Sequence, residues 1–200
     1  IPTTAPIPTP PVATNSSVVG LFEGAHYHST GWYRPKLNCM MKSSVAPFCD
    51  VCSEALVLSI YQRVRPVDSF TPAATNFSAV TTQALAFNLT LLQPATHSLS
   101  VQWQTNGMAV PGATNSAFNL LPVLLGNGTQ TVSVVVKDNT ALVRNDPTNL
   151  LSQTVRWTVN VNIPQLHLDS PAWLAGGKFA FRITGNAPQG VVIQSSTNFS

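Results

Sequence analysis

The sequence predicts a mainly β chain: an immunoglobulin-like antiparallel sandwich, preceded by a segment of mixed helix and coil and followed by a partial β-domain. Three observations predict it. From Pro66 to about Ile163 apolar residues recur every second position in short runs, and clusters of Gly, Pro, Asn and Asp break those runs. Only the stretch from Asp50 to about Val64 carries helical spacing. Apolar residues make up 44% of the 200, enough for a core, and charged residues only 8%, where average domains carry roughly 25%. The polarity comes from Ser, Thr, Asn and Gln instead.

In chain order, residues 1–17 read “IPTTAPIPTPPVATNSS”. Proline fixes φ and removes a donor, so this is expected to be an extended, polyproline-like linker, with Ile1, Ile7 and Val12 available as anchors. The stretch “FEGAHYHSTGWYRP” follows, with two histidines, a glutamate and an arginine among aromatic residues. The helix comes next. Cys52, Leu56 and Ile60 recur at i, i+4 and i+8 with no Gly or Pro inside, which makes them its expected buried stripe. Asp50 suits the positive N-terminal end, Arg63 and Arg65 suit the negative end, and Pro66 stops it.

The strand runs are “ALAFNLTLL”, “SLSVQWQTNG”, “SAFNLLPVLL”, “TQTVSVVVKD” and “SQTVRWTVNV”. Trp103, alternating with Leu99 and Val101, has the place of the buried core tryptophan of an immunoglobulin-type sandwich. No cysteine lies in this region, so the sandwich stands without a bridge. Beyond it, “KFAFRIT” and “QGVVIQSS” around “GNAP” read as a hairpin. Its Phe179, Phe181, Ile183, Val191 and Ile193 call for further strands or a neighbouring surface.

Composition excludes several classes. The formal charge of +3 comes from ten basic and seven acidic residues spread thinly, with no Lys or Arg run, so no nucleic-acid partner is expected. No apolar run approaches the roughly 20 residues needed to cross a bilayer. The chain opens at Ile1 without a charged and apolar leader, as expected of a fragment or of an exported chain, secreted or held at the cell surface. Sequons at Asn15, Asn76, Asn88, Asn127 and Asn198 read as chance matches in a chain this rich in Asn, Ser and Thr. There is no G-x-S-x-G serine, no glycine-rich phosphate loop and no H-E-x-x-H.

Cys39, Cys49 and Cys52 are the three cysteines. With Cys52 on the expected helix stripe, a Cys39–Cys49 disulfide and a packed Cys52 thiol is the plainest arrangement in an exported chain. The alternative is a structural zinc held by the three cysteines with His26 or His28. As i, i+2 neighbours in a strand, His26 and His28 would share one face, with Glu23 as a third candidate ligand. The competing account makes them packing residues in an aromatic-rich turn.

The order G-L-F-E-G-A-x-Y (Gly20 to Ala25, Tyr27), G-x-Y-R-P (Gly31, Tyr33, Arg34, Pro35), C-x-M-K (Cys39, Met41, Lys42) and F-C-x-V-C (Phe48 to Cys52) resembles the C-terminal part of the catalytic domain of the bacterial IgA-peptidase family of zinc metallopeptidases. “IPTP” at Ile7 to Pro10 recurs there, and “VKDNT” and “VRNDP” resemble the domain that follows. The resemblance implies a zincin-type peptidase segment over 1–65 followed by a further domain over 66–163, the stretch whose spacing already reads as an immunoglobulin-like sandwich, while residues 164–200 read as the start of another, truncated β-domain. It implies zinc, bound through an H-E-x-x-H helix that this chain lacks, so no metal is expected in the chain by itself and it is expected to be inactive alone. Met41 would be the methionine that floors the zinc site, and Glu23, Tyr27, Tyr33 and Arg34 would line or brace the cleft for a peptide or protein substrate. The family gives His26 no metal role. Self-association through exposed apolar surface is a further expectation. The other function class is a non-enzymatic extracellular module whose sandwich binds a partner or acts as a spacer.

Overall fold

A computed structural model describes residues 4–80, 83–163 and 166–185. Strand accounts for 42% of the described residues and helix for 11%. The chain forms two compact units. One comprises 1–66, 92–99 and 137–153; the other comprises 67–91, 100–136 and 154–200.

The first unit opens on the proline-rich stretch, which is not a free linker. Thr9 is buried, its N–H donates to the Leu21 carbonyl at 2.8 Å, and its Oγ1 accepts the Leu21 N–H at 2.9 Å while donating to the Pro6 carbonyl. A polar residue is therefore the anchor, and Ile7 and Val12 stay exposed. Ile1 lies outside the described residues. Strands β1 (Phe22–Ala25) and β2 (His28–Arg34) then form an antiparallel hairpin, with Phe22 fully buried at its base.

Helix α1 runs Asp50–Tyr61, with Cys49 at its N-cap and Asp50 in its first turn. It stops three residues short of Val64, and beyond it the N–H groups of Arg63 and Val64 share the Ile60 carbonyl. The expected Cys52/Leu56/Ile60 stripe is not the packed face. Leu56 and Ile60 are exposed, and the helix is held at Glu54 and Tyr61. Those holds come from far along the chain. Asp138 accepts the Tyr61 hydroxyl at 2.5 Å and sits 2.6 Å from His97 Nε2. Arg144 meets Glu54 through Nε and Nη2, and the Arg144 and Asn145 N–H groups donate to the same carboxylate. Asp146 fixes the loop by accepting the Leu150 and Leu151 N–H groups. Apolar spacing carries no trace of these polar partners, which is why the stripe reading failed.

The second unit has a five-stranded sheet in the order β4 (Asn76–Ala79), β10 (Ser152–Val161), β9 (Gly128–Lys137), β6 (Ser100–Thr105), β7 (Met108–Ala109). A three-stranded sheet has the order β3 (Val67–Thr71), β5 (Leu85–Leu91), β8 (Ala117–Leu120). Rings from both sheets meet between them: Trp103 stacks on Phe118 at 5.1 Å, and Phe87 meets Trp157 edge-on at 4.9 Å. Both tryptophans are fully buried, and each indole N–H has a partner, the Asn115 carbonyl for Trp103 and the Pro72 carbonyl for Trp157. Val132, Val134 and Val136 on β9 alternate into the same core. The sandwich-like fold with a buried Trp103 is as expected. One pairing is not antiparallel, however. β4 runs parallel to β10, with Asn76 opposite Thr158 and Ala79 opposite Val161. A connection of this length imposes no hairpin, so sequence proximity does not fix the direction.

Within the same unit, β11 (His167–Leu174) and β12 (Lys178–Thr184) pair as a hairpin. “KFAFRIT” thus pairs with the strand before it; its expected partner “QGVVIQSS” lies outside the described residues, together with Val191 and Ile193. Gly176 and Gly177, at φ +83° and +73°, supply the left-handed turn between them. Phe179 and Phe181 are partly exposed.

Candidate functional site

The densest chemistry lies on the β1–β2 hairpin and the turn that follows it. Ala25 pairs with His28, so His26 and Tyr27 are the two loop residues, at φ +50° and +65°. That is the geometry of a tight two-residue turn that Asn-Gly usually fills, and bulky side chains hold it only under strain. His26 and His28 are accordingly not strand neighbours on one face. His28 stacks on Trp32 at 5.6 Å, and the His26 ring lies 5.0 Å from the same indole.

The hairpin's shape is fixed by two side chains. Glu23 Oε1 accepts the Gly31 N–H at 2.9 Å. Arg34 reaches back across the hairpin, its Nη1 donating to the carbonyls of Glu23, at 2.6 Å, and of Gly24. Gly24 sits at the register shift with φ +92°, and an added Cβ would lie 3.3 Å from Arg34 Nη1, so the close crossing needs glycine there.

Beside the hairpin is a cavity of about 720 Å³. Tyr27, Arg34, Met41, His26, His28, Lys36, Lys42, Cys39 and Cys52 line it; Glu23 and Tyr33 do not. Tyr27 is fully exposed at the hairpin tip, and Tyr33 and Met41 are exposed as well, Met41 at 76%. Lys36 was not foreseen. It is buried, with Nζ 2.5 Å from the Ser17 carbonyl and 3.0 Å from Asp50 Oδ2. Nothing in “RPKL” distinguishes it from a surface lysine.

The cysteines converge, but not as a disulfide. All three are free thiols, with the Cys39 and Cys52 sulfurs 3.7 Å apart and the three sulfurs within 4.8 Å of one another. The expected Cys39–Cys49 bridge is therefore replaced by a triad, and Cys52 is a member of it instead of a separate packed thiol. Burial works to raise the Cys39 pKa, but the backbone N–H groups of Met41 and Cys49, with the Cys49 and Cys52 thiols, outweigh it and leave Cys39 below the ordinary thiol range. Cys52 goes the other way. Burial, then its hydrogen bonds to Cys49 and Cys39, push it up to about 12. Neither His26 nor His28 belongs to this close group.

Chemically, this is a cationic and aromatic wall. The cavity lining carries no carboxylate. A catalytic zinc does not fit the described residues: His26, His28 and Glu23 do not gather as a group of ligands, Glu23 Oε1 holds the hairpin, and the sequence has no H-E-x-x-H. A family model described as IgA Peptidase M64 matches residues 11–60, a quarter of the 200-residue chain. The matched stretch takes in the whole hairpin, the cysteine triad and most of α1. Among curated proteins, none matches the chain.

Proposed function

We propose that this chain is the cleft-supporting part of a secreted zinc metalloendopeptidase, and that it is inactive by itself. The observation that carries the reading is the Arg34-clasped hairpin beside an open cavity, inside the stretch similar to an IgA peptidase family. Arg34 and Glu23 set the shape of the hairpin. Tyr27 and Met41, on the cavity side, present apolar surface to an extended peptide, while Tyr33 lies outside the cavity lining. Catalytic groups come from elsewhere in the longer polypeptide, because hydrolysis at a metal needs three protein ligands and a base that these residues do not assemble.

The test is proteolysis of casein with and without chelator. The 200-residue chain should leave casein intact. The natural polypeptide carrying this chain together with an H-E-x-x-H segment should cleave it in a chelator-sensitive way. If that polypeptide proves to hold no such segment and is inert, the reading fails. The chain is then an extracellular binding or spacer module built around its sandwich.

A further inference from the structure

We infer that Cys39, Cys49 and Cys52 form a three-thiolate binding site for one divalent metal ion of the zinc class. The inference rests on the thiols alone and not on the peptidase reading. A tetrahedral ion with metal–sulfur bonds of ~2.3 Å sets its sulfurs ~3.8 Å apart. The Cys39 and Cys52 sulfurs are 3.7 Å apart, and Cys49 completes a group whose sulfurs all lie within 4.8 Å. A disulfide would need ~2 Å. The triad is therefore spaced for coordination and not for a bond.

The local fold prepares the three positions. Cys49 is the N-cap of α1 and Cys52 lies in its first turn, so the C-x-x-C spacing turns both sulfurs towards one point. Cys39 opens a tight turn in which the Lys42 and Ser43 N–H groups donate to its carbonyl, and Met40 N–H bonds the Pro47 carbonyl to close the loop. The Cys49 N–H donates to Cys39 Sγ at 3.3 Å, an outer-shell bond of the kind that orients thiolate ligands. Cys39 and Cys49 are buried, while Cys39 and Cys52 border the cavity. A metal ion thus has an entry path, and its fourth ligand, a water or other small donor, comes from the cavity side. Three thiolates and a divalent ion leave one negative charge. The helix N-terminus offsets it.

The test uses the full chain purified without chelator in mild reductant. Metal content is measured by plasma mass spectrometry, thiols are counted in denaturant with and without EDTA, and the metal-free chain is titrated with cobalt(II). The expected result is one zinc per chain, three thiols reactive only after chelation, and a cobalt charge-transfer band saturating at one equivalent. That band should be lost in Cys39→Ser and in Cys49→Ser. The metal and thiol counts on the unaltered chain stand even if the variants fail to fold. A chain isolated with one thiol and no metal would be a disulfide protein and would overturn the inference. Three thiols with no cobalt uptake would overturn it equally.

Discussion

Asp138 shows how much one side chain can hold. Its carboxylate accepts the Tyr61 hydroxyl, meets His97 and accepts the Thr140 N–H. Burial alone would raise its pKa. Tyr61, His97 and the Thr140 amide more than compensate, and it lies below the usual carboxylate range. Tyr61 is displaced upward, first by burial and then by its bond to the carboxylate. The signs follow from linkage. A depressed acid contributes stability above its unfolded pKa of about 3.9, lost as pH falls through the folded value. A raised phenol contributes below its unfolded pKa of about 10, lost as pH rises through the folded value. Urea unfolding at pH 7 should show Asp138→Asn less stable by about 1–3 kcal/mol, because a buried network loses its charged acceptor. The difference from the unaltered chain should shrink towards pH 3. Equal destabilisation at both pH values would mean that shape, not charge, is what Asp138 supplies.

Among the elements, the β1–β2 hairpin carries the clearest strain. His26 and Tyr27 both occupy the left-handed region, at a cost on the order of 1 kcal/mol or more each. Replacing the pair with Asn-Gly, the residues this turn geometry favours, should raise stability by about 1–2 kcal/mol, read from urea unfolding. No gain would mean that the His26 and His28 contacts with Trp32 already offset the strain. The hairpin also marks the limits of legibility. “FEGAHYHSTGWYRP” announced itself by composition, and the helix by its spacing from Asp50. The turn did not, because His-Tyr is not a turn signal. Arg34 did not reveal its role either, since a clasp on the Glu23 and Gly24 carbonyls becomes visible only once the strands are paired. Trp103 was legible because an alternating strand with a central tryptophan leaves it one place to go. The Gly176–Gly177 turn was a readable signal that went unused.

At the scale of the whole molecule, the sandwich core is the largest source of order. Trp103, Trp157, Phe87 and Phe118 form one continuous aromatic cluster. Trp103→Ala should cost about 3–5 kcal/mol, seen as a fall in the urea midpoint of the sandwich. An unmoved midpoint would mean that the cluster repacks without loss.

The clasps on α1 have a consequence in time. The residues that secure the helix at Tyr61 and Glu54 lie 77 and 90 positions later in the chain. A polypeptide emerging from the ribosome therefore makes this helix long before it makes Asp138 and Arg144. Short-range contacts form quickly, and pairings across such separations wait on slow loop closure. Through that interval the Tyr61 hydroxyl and the Glu54 carboxylate are left to solvent, along with the already exposed Leu56 and Ile60. The first unit starts ahead of the second in the sequence, yet it cannot close until residues 137–153 have been made.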